Sequence, residues 1–167
     1  MAPGLRKNSL TEFVDARSIT LQTPLHVASK YGQLDMIDFL VENGASVDAL
    51  DHRKNSSLHY SSAYGNLKAT EILLTYKANL KARNDNLQTA LHIASKNGHL
   101  EIVSLLLEHG AKIDKMDKNK KTANDLAKEN GYHEISQKIF DLCSSKKRLD
   151  GTTPDATKSD SVYRRFL

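Results

Sequence analysis

Apolar residues along the chain recur in pairs of short helical patterns, separated by glycine and by polar stretches. In one such pair, an apolar run follows Thr23 and stops at Gly32. A hydroxyl residue ahead of an apolar run is typical of a helix N-cap, and glycine is typical of a helix C-terminus. A second, more apolar pattern over 34–41 has the spacing of one buried helix face and ends at Gly44. The pattern therefore predicts a helix, a turn, a second helix and then a polar finger.

This unit repeats without gaps at an offset of 33 residues. The copies begin with TPLHVASKYG at Thr23, SSLHYSSAYG at Ser56, TALHIASKNG at Thr89 and TANDLAKENG at Thr122. Six of the eight glycines stand at the ends of the predicted helices, where a left-handed backbone is accessible mainly to glycine. Four consecutive helix-turn-helix units are predicted.

The repeated box resembles the signature of the ankyrin repeat, which is T-P-L-H-x-A with a period of 33 residues. It is present here as TPLHVA, SSLHYS and TALHIA, and the resemblance covers residues 23–142. The resemblance implies an all-α ankyrin-repeat solenoid of stacked helix-turn-helix units with β-hairpin-like fingers.

The repeats also suggest how the chain is organised. The residues Val14-Asp15-Ala16 lie 33 positions before Val47-Asp48-Ala49, which suggests a partial capping repeat within the N-terminal segment 1–22. The predicted ankyrin domain spans 23–143, with repeats 23–55, 56–88, 89–121 and 122–143. The basic segment 144–167 has few large apolar residues and is predicted to be a disordered tail.

The second repeat departs from the pattern of the others. Ser57 replaces the box proline, Ser61 replaces an alanine, and Lys77 replaces the glycine found at Gly44. A buried hydroxyl needs a partner, and a lysine in a left-handed conformation costs about 1 kcal/mol. We expect this repeat to be the least stable part of the solenoid.

Composition narrows the function only slightly. Lysine and arginine number 24 against 20 acidic residues, a formal charge of +4 that favours encounter with an acidic partner. The chain has no apolar run of the roughly 20 residues that cross a bilayer, and no apolar stretch follows its basic N-terminus as in a secretory signal. A single cysteine excludes an internal disulfide and suits a reducing compartment. The expected location is the cytoplasm, the nucleus or both.

Candidate catalytic and metal-binding residues are few. His26, His59 and His92 recur at the box position of stacked units about 8–10 Å apart, whereas metal-binding nitrogens lie within about 2.1 Å of the ion. We therefore expect structural hydrogen bonds for these three, and surface positions for His99 and His109, as for His133. No nucleophile, metalloprotease or phosphate-loop motif is present. The chain is not expected to be an enzyme, to hold a cofactor or metal, or to use a small-molecule substrate.

The resemblance implies that a partner contacts the exposed side of the first helices and the finger tips. At the ends of the first helices the candidates are Lys30, Tyr31, Tyr64, Lys96 and Asn97. On the fingers they are Leu50, His52, Arg53, Arg83, Asp85 and Met116. Tyr31 and Tyr64 are predicted to stand side by side as an exposed aromatic pair of the kind enriched at interface hot spots.

The predicted function is a protein-interaction module, working as a small adaptor or regulatory subunit that is monomeric in isolation. An inhibitor of its partner is the more specific form of this prediction, and basic fingers suit an acidic partner surface. The alternative is electrostatic association with nucleic acid or an anionic membrane through the fingers and tail, for which the net charge is small. A simpler interpretation of the finger lysines is that they keep an open solenoid in solution.

Overall fold

A computed structural model describes the backbone of residues 13–149 and the side chains of 13–142. Within this range the chain forms eight helices in four pairs, with no strand. They are α1 (Pro24–Tyr31), α2 (Leu34–Glu42), α3 (Ser57–Ala63), α4 (Leu67–Thr75), α5 (Ala90–Asn97), α6 (Leu100–Glu108), α7 (Ala123–Glu129) and α8 (His133–Leu149). The predicted all-α class and the order of its elements are confirmed.

The helix pairs stack into two layers. The inner layer contains α1, α3, α5 and α7, and the outer layer contains α2, α4, α6 and α8. Neighbouring inner helices pack more closely than neighbouring outer helices, so the stack curves and the inner layer lies on its concave side.

The core is a continuous ladder of residues at equivalent repeat positions. The box leucines Leu25, Leu58 and Leu91 are at most 1% exposed, and the outer-helix leucines Leu40, Leu73 and Leu106 are fully buried at the same spacing. Burial of one such side chain contributes about 1.5–3 kcal/mol. Because each unit buries these side chains against its neighbours, the repeats are stable only as a stack.

The fingers are shorter than the predicted hairpins. In the first finger the Asp51 amide donates to the Asn55 carbonyl at 3.0 Å, and the Asp51 carboxylate accepts the Arg53 and Asn55 amides. Each finger therefore closes as a single tight turn, too short to form a strand ladder. One amide joins each finger to the preceding one, as from Asp85 to the Arg53 carbonyl at 3.0 Å.

The box histidines make the structural hydrogen bonds expected of them. The Thr23 amide can only donate, so His26 Nδ1 at 3.0 Å is the acceptor and Nε2 donates to the Asn55 carbonyl at 3.0 Å. His59 repeats the arrangement with the Gln88 carbonyl, whereas His92 accepts its N-cap amide but donates to the Lys115 carbonyl at 3.0 Å. In the fourth repeat Asp125 accepts the N-cap amide instead, which suits a terminal unit with no following finger to reach.

The expectation of a surface position was wrong for His99, although His109 and His133 are exposed. The half-buried His99 ring covers Gly65, and a Cβ on that glycine would lie 2.8 Å from it. The same position of the preceding repeat holds Asn66, whose side-chain amide donates to the Ser29 and Lys30 carbonyls. This residue of each repeat therefore covers the helix-helix turn of the repeat before it.

Both ends of the solenoid extend beyond the four predicted repeats. Val14 is 1% exposed, and the Asp15 carboxylate accepts the Ser46 amide at 3.1 Å, as a partial capping repeat requires. At the other end, α8 runs to Leu149, so the first residues of the predicted tail are helical. The predictions for 1–12, for 150–167 and for the Cys143 side chain lie outside the described residues.

The second repeat contains the irregularities that its sequence suggested. Lys77 adopts the left-handed conformation, with φ of 62°, and the buried Ser57 hydroxyl has no hydrogen-bond partner among the described residues. The Ser61 hydroxyl is satisfied by Thr70 at 2.9 Å.

Replacing Lys77 by glycine is expected to raise the free energy of unfolding by about 1 kcal/mol, because glycine adopts positive φ without strain. Urea denaturation measures the change. The matched variant is Gly110→Lys at the equivalent position, where a Cβ meets nothing within 4 Å, so only the backbone effect acts. Gly110→Lys should lower the free energy of unfolding by a similar amount. A Lys77→Gly variant that is no more stable than the wild type would contradict the expectation.

Amides of α4 are expected to exchange with solvent faster than those of α6, since the second repeat carries the strained lysine and the unsatisfied serine. Native-state hydrogen exchange compares the two helices within one sample. Equal protection of both helices would show that the second repeat is not the least stable unit.

Acidification is expected to destabilise the fold between about pH 6.5 and about pH 5. Burial lowers the pKa of His26, His59 and His92, so the folded state keeps these rings neutral while the unfolded chain takes up protons. Their contribution to stability is complete above the ordinary histidine pKa and is lost as the pH falls below it. The loss is at most about 1.4 kcal/mol per pH unit for each histidine.

Chemical denaturation as a function of pH measures this dependence. The two finger carboxylates with lowered pKa, Asp51 and Asp117, act in a lower range, below their ordinary pKa of 3.8. A free energy of unfolding that stays constant from pH 7 to pH 5 would therefore contradict the histidine explanation.

Candidate protein-binding surface

The concave face carries an exposed aromatic pair at its N-terminal end. Tyr31 is the last residue of α1 and Tyr64 follows α3, and the 33-residue spacing brings them side by side as predicted. Their side chains are 64% and 54% exposed. The Lys30 ammonium lies 5.1 Å from the centre of the Tyr31 ring and 5.2 Å from that of Tyr64. We call these three residues the tyrosine clamp.

The clamp combines apolar area with a fixed positive charge. Interaction with the Tyr64 hydroxyl, and then with that of Tyr31, raises the pKa of the Lys30 ammonium. A cation over an aromatic ring is attracted by the negative face of the ring. The lysine therefore lies against both rings and leaves more than half of each tyrosine open to a partner.

The third repeat ends the aromatic row. Asn97 occupies the position of the two tyrosines, and its side-chain amide donates to the Ala63 carbonyl at 3.0 Å. This contact ties α5 to α3, so Asn97 has a structural role that the sequence did not reveal. The neighbouring Lys96 is exposed at the end of α5.

The finger candidates are exposed, with one exception. Leu50 and Met116 are 39% and 37% exposed, and Arg53 also faces solvent. The exposed His52 ring contacts the Thr20 carbonyl at 3.0 Å, while Asp85 pairs with Lys54 at 3.4 Å. Both members of that pair are open to solvent, so the pair adds little stability.

Arg83 is the exception, because its guanidinium is engaged within the solenoid. It donates to the Leu87 carbonyl at 2.9 Å and to the Met116 carbonyl of the following finger. Arg17 makes the corresponding bond to the Leu50 carbonyl at 3.1 Å. The arginine therefore joins adjacent fingers, and what it presents to a partner is its charge.

Charge is divided between the two sides of the solenoid. Outer-helix residues between 34 and 142 include eight carboxylates and only two lysines. The third finger and the loop before it carry five lysines, Lys112, Lys115, Lys118, Lys120 and Lys121. The positive potential is therefore concentrated on the finger side.

Sequence reasoning missed a hydrogen-bonded tyrosine beside the clamp. The Tyr60 hydroxyl donates to the Asp51 carboxylate at 2.8 Å, and its ring packs edge-on against His26 at 5.5 Å. Burial and the bond to Asp51 raise the pKa of Tyr60 to about 12. Burial by itself would raise the pKa of Asp51. Hydrogen bonds from Tyr60 and Asn55 outweigh that effect, so the pKa of Asp51 is lowered overall. The sequence feature that could have revealed this hydrogen bond is a tyrosine at a position where the other repeats have the apolar residues Val27, Ile93 and Leu126.

Neither a metal centre nor a membrane span is present in the described part of the chain. No three His, Cys, Asp or Glu side chains there come together as ligands, and no helix is long and apolar enough to cross a bilayer.

Comparison with known proteins agrees with the architecture. A family model described as ankyrin repeats, in 3 copies, matches residues 6–84 and 58–150. A similar curated protein is the serine/threonine-protein kinase VIK of Arabidopsis thaliana, 49% identical over 43 residues. That match covers 26% of this chain, and the chain spans only 10% of the length of the kinase. Because the family model covers most of the sequence, the chain belongs to the ankyrin-repeat family, whose repeats are protein-protein interaction modules.

Proposed function

We propose that this protein is a small adaptor or regulatory subunit that binds a protein partner on its concave face and finger tips. The tyrosine clamp is the observation that carries the proposal. Two neighbouring tyrosines, each more than half exposed, have no evident role in stabilising the stack. Aromatic side chains on a preformed surface are typical anchors of protein interfaces.

The clamp favours binding because little order has to be created when a partner arrives. Lys30 already lies over both rings, and each ring has only two side-chain torsions to restrict. The exposed Leu50 and Met116 extend apolar contact along the fingers. A partner segment lying along the concave face would therefore contact the clamp at one end and the finger tips beside it.

The charge distribution favours an acidic partner segment. Lys30 lies within the clamp, and the lysines of the third finger lie farther along the stack. Complementary charge speeds association and selects the partner more than it adds affinity. In the more specific form of the proposal, the bound solenoid covers a functional surface of its partner and inhibits it. We place this activity in the cytoplasm or nucleus, with a monomeric solenoid.

The lysine-rich third finger favours a second candidate, electrostatic binding to nucleic acid or an anionic membrane. Such binding loses orders of magnitude in affinity between about 50 and about 200 mM salt when many phosphates are contacted. Its salt dependence separates it from binding anchored by the tyrosines.

Replacing both clamp tyrosines by alanine is expected to reduce recovery of the protein partner from a cell lysate by about tenfold or more, as for interface hot spots. The control variant is Met36→Ala/Phe39→Ala, which removes comparable exposed apolar area, 42% and 45% exposed, from the outer helix α2. It should retain the partner. Circular dichroism establishes that both variants are folded.

Equal recovery by the wild type and the tyrosine variant would contradict the clamp as the binding site. Recovery of salt-labile nucleic acid alone would favour the electrostatic candidate and overturn the protein-binding proposal.

A further inference from the structure

A cavity of about 460 Å³ lies at the junction of the second and third repeats, between the loops that follow α4 and α6. Its lining includes Lys81, Arg83, Lys112 and Lys115 but no carboxylate. Its volume is within the range of sites that bind small ligands, about 300–1,000 Å³. Neither the repeat signature nor the tyrosine clamp accounts for this concentration of cations.

At the two preceding junctions the same place is filled by a carboxylate from the solenoid itself. Asp15 Oδ1 accepts the Ser46 amide at 3.1 Å, and Asp48 Oδ1 accepts the Asn79 amide at 2.8 Å. Each acceptor lies 31 residues before its donor. The repeat therefore binds one carboxylate oxygen at an exposed backbone amide of each of these junctions.

At the third junction a lysine replaces that carboxylate. Lys81 occupies the position of Asp48, and the amide that corresponds to Asn79 belongs to Lys112. A lysine can only donate hydrogen bonds. Accordingly, the Lys112 amide has no acceptor within the part of the chain that the structure describes. An amide that elsewhere binds an anionic oxygen therefore lies at the wall of a cationic cavity.

The cations are not required by the fold. The residues equivalent to Arg83, Lys112 and Lys115 at the preceding junction are uncharged, namely Leu50, Asn79 and Ala82. That junction packs the equivalent helices together without them. The three lysines are therefore a feature of this one junction, whereas the arginine also occurs at the first junction as Arg17.

Neighbouring groups neutralise little of this charge. Lys115 lies 3.8 Å from Asp114 in a pair whose side chains are about half exposed, which is a weak interaction. Arg83 donates to backbone carbonyls and keeps its charge. No ion pair involves Lys81 or Lys112 among residues 13–142.

We propose that this cavity binds a compact ligand carrying two or more phosphate groups. One phosphate oxygen accepts the Lys112 amide where Asp48 binds in the preceding junction, and the Lys81 and Lys115 ammonium groups contact the remaining oxygens. Backbone amides together with lysines are a common means of holding phosphate. The small volume favours a phosphorylated small molecule or lipid headgroup over an extended phosphopeptide. The site is separate from the tyrosine clamp, and it shares Arg83 with the finger residues of the proposed partner surface.

The test replaces Lys81 of the third junction by aspartate, the residue that the second junction has at the equivalent position, Asp48. In Lys81→Asp, the new carboxylate should bind the Lys112 amide, as Asp48 binds that of Asn79, and exclude the ligand. Isothermal titration of the full chain with inositol 1,4,5-trisphosphate should show about a tenfold or greater loss of affinity. The melting temperature of this variant should be at or above that of the wild type, which separates loss of binding from loss of folding.

The control variant is Lys118→Asp, which makes the same change of charge outside the cavity. Its position is held by Asp85 in the preceding finger, so the fold accepts aspartate there. Its affinity should fall by no more than about twofold, because the exposed Lys118 does not line the cavity and salt screens its charge. Titration is done at about 0.15 M salt.

Three outcomes would overturn the proposal: no binding of the trisphosphate by the wild type, equal losses in the two variants, or binding of a phosphoserine peptide alone. Vesicles containing phosphatidylinositol bisphosphate separate the two sources of the ligand. If the protein binds these vesicles and Lys81→Asp abolishes the binding, the site is supported with a lipid headgroup as its ligand. If it binds only the free trisphosphate, the site is supported with a soluble phosphate ester as its ligand.

Discussion

The contact on which the rest of the solenoid depends is the hydrogen-bonded imidazole of the repeated box. His26 accepts a hydrogen bond from the N-cap amide of its own helix and donates one to the carbonyl of Asn55, the residue just before the next N-cap. One ring thus sets where an inner helix begins and where the next repeat enters the stack. Because Nδ1 can accept the amide only when the ring is neutral, this pair of bonds depends on keeping the histidine buried.

Repetition of that contact leaves other positions free to vary. Once the box, the buried leucines and the covered turns hold neighbouring units together, the last residues of the inner helices and the finger residues can change with little effect on the stack. The tyrosine clamp and the cationic cavity both lie at such positions. In each case the equivalent residues of another repeat show that the fold does not require them, which is a stronger reason to assign function than exposure alone.

The departures from the consensus did not all have the same meaning. Lys77 is strained as its sequence position suggested, because its backbone conformation is imposed by the helix end that it occupies. Arg83 and Asn97 were expected to face a partner, but both bind backbone carbonyls of neighbouring units. Side-chain type and repeat position do not distinguish these roles, since the acceptors lie about 33 residues away.

The sequence by itself determined the fold class, the helix pairs, the role of the box histidines and the neighbouring position of the two tyrosines. The helix pairs follow from the apolar spacing within each unit, and the fold class follows from the resemblance to the ankyrin repeat. The adjacency of the tyrosines follows from the period of 33 residues, because equivalent residues of stacked repeats lie next to each other. Only the tertiary structure decided which side chains are engaged within the stack, that Lys30 lies against both rings, and that Lys81 stands where two aspartates bind backbone amides. Those facts depend on distances between side chains and backbone groups of different repeats, and such distances are set by the curvature and packing of the stack, which the period alone does not specify.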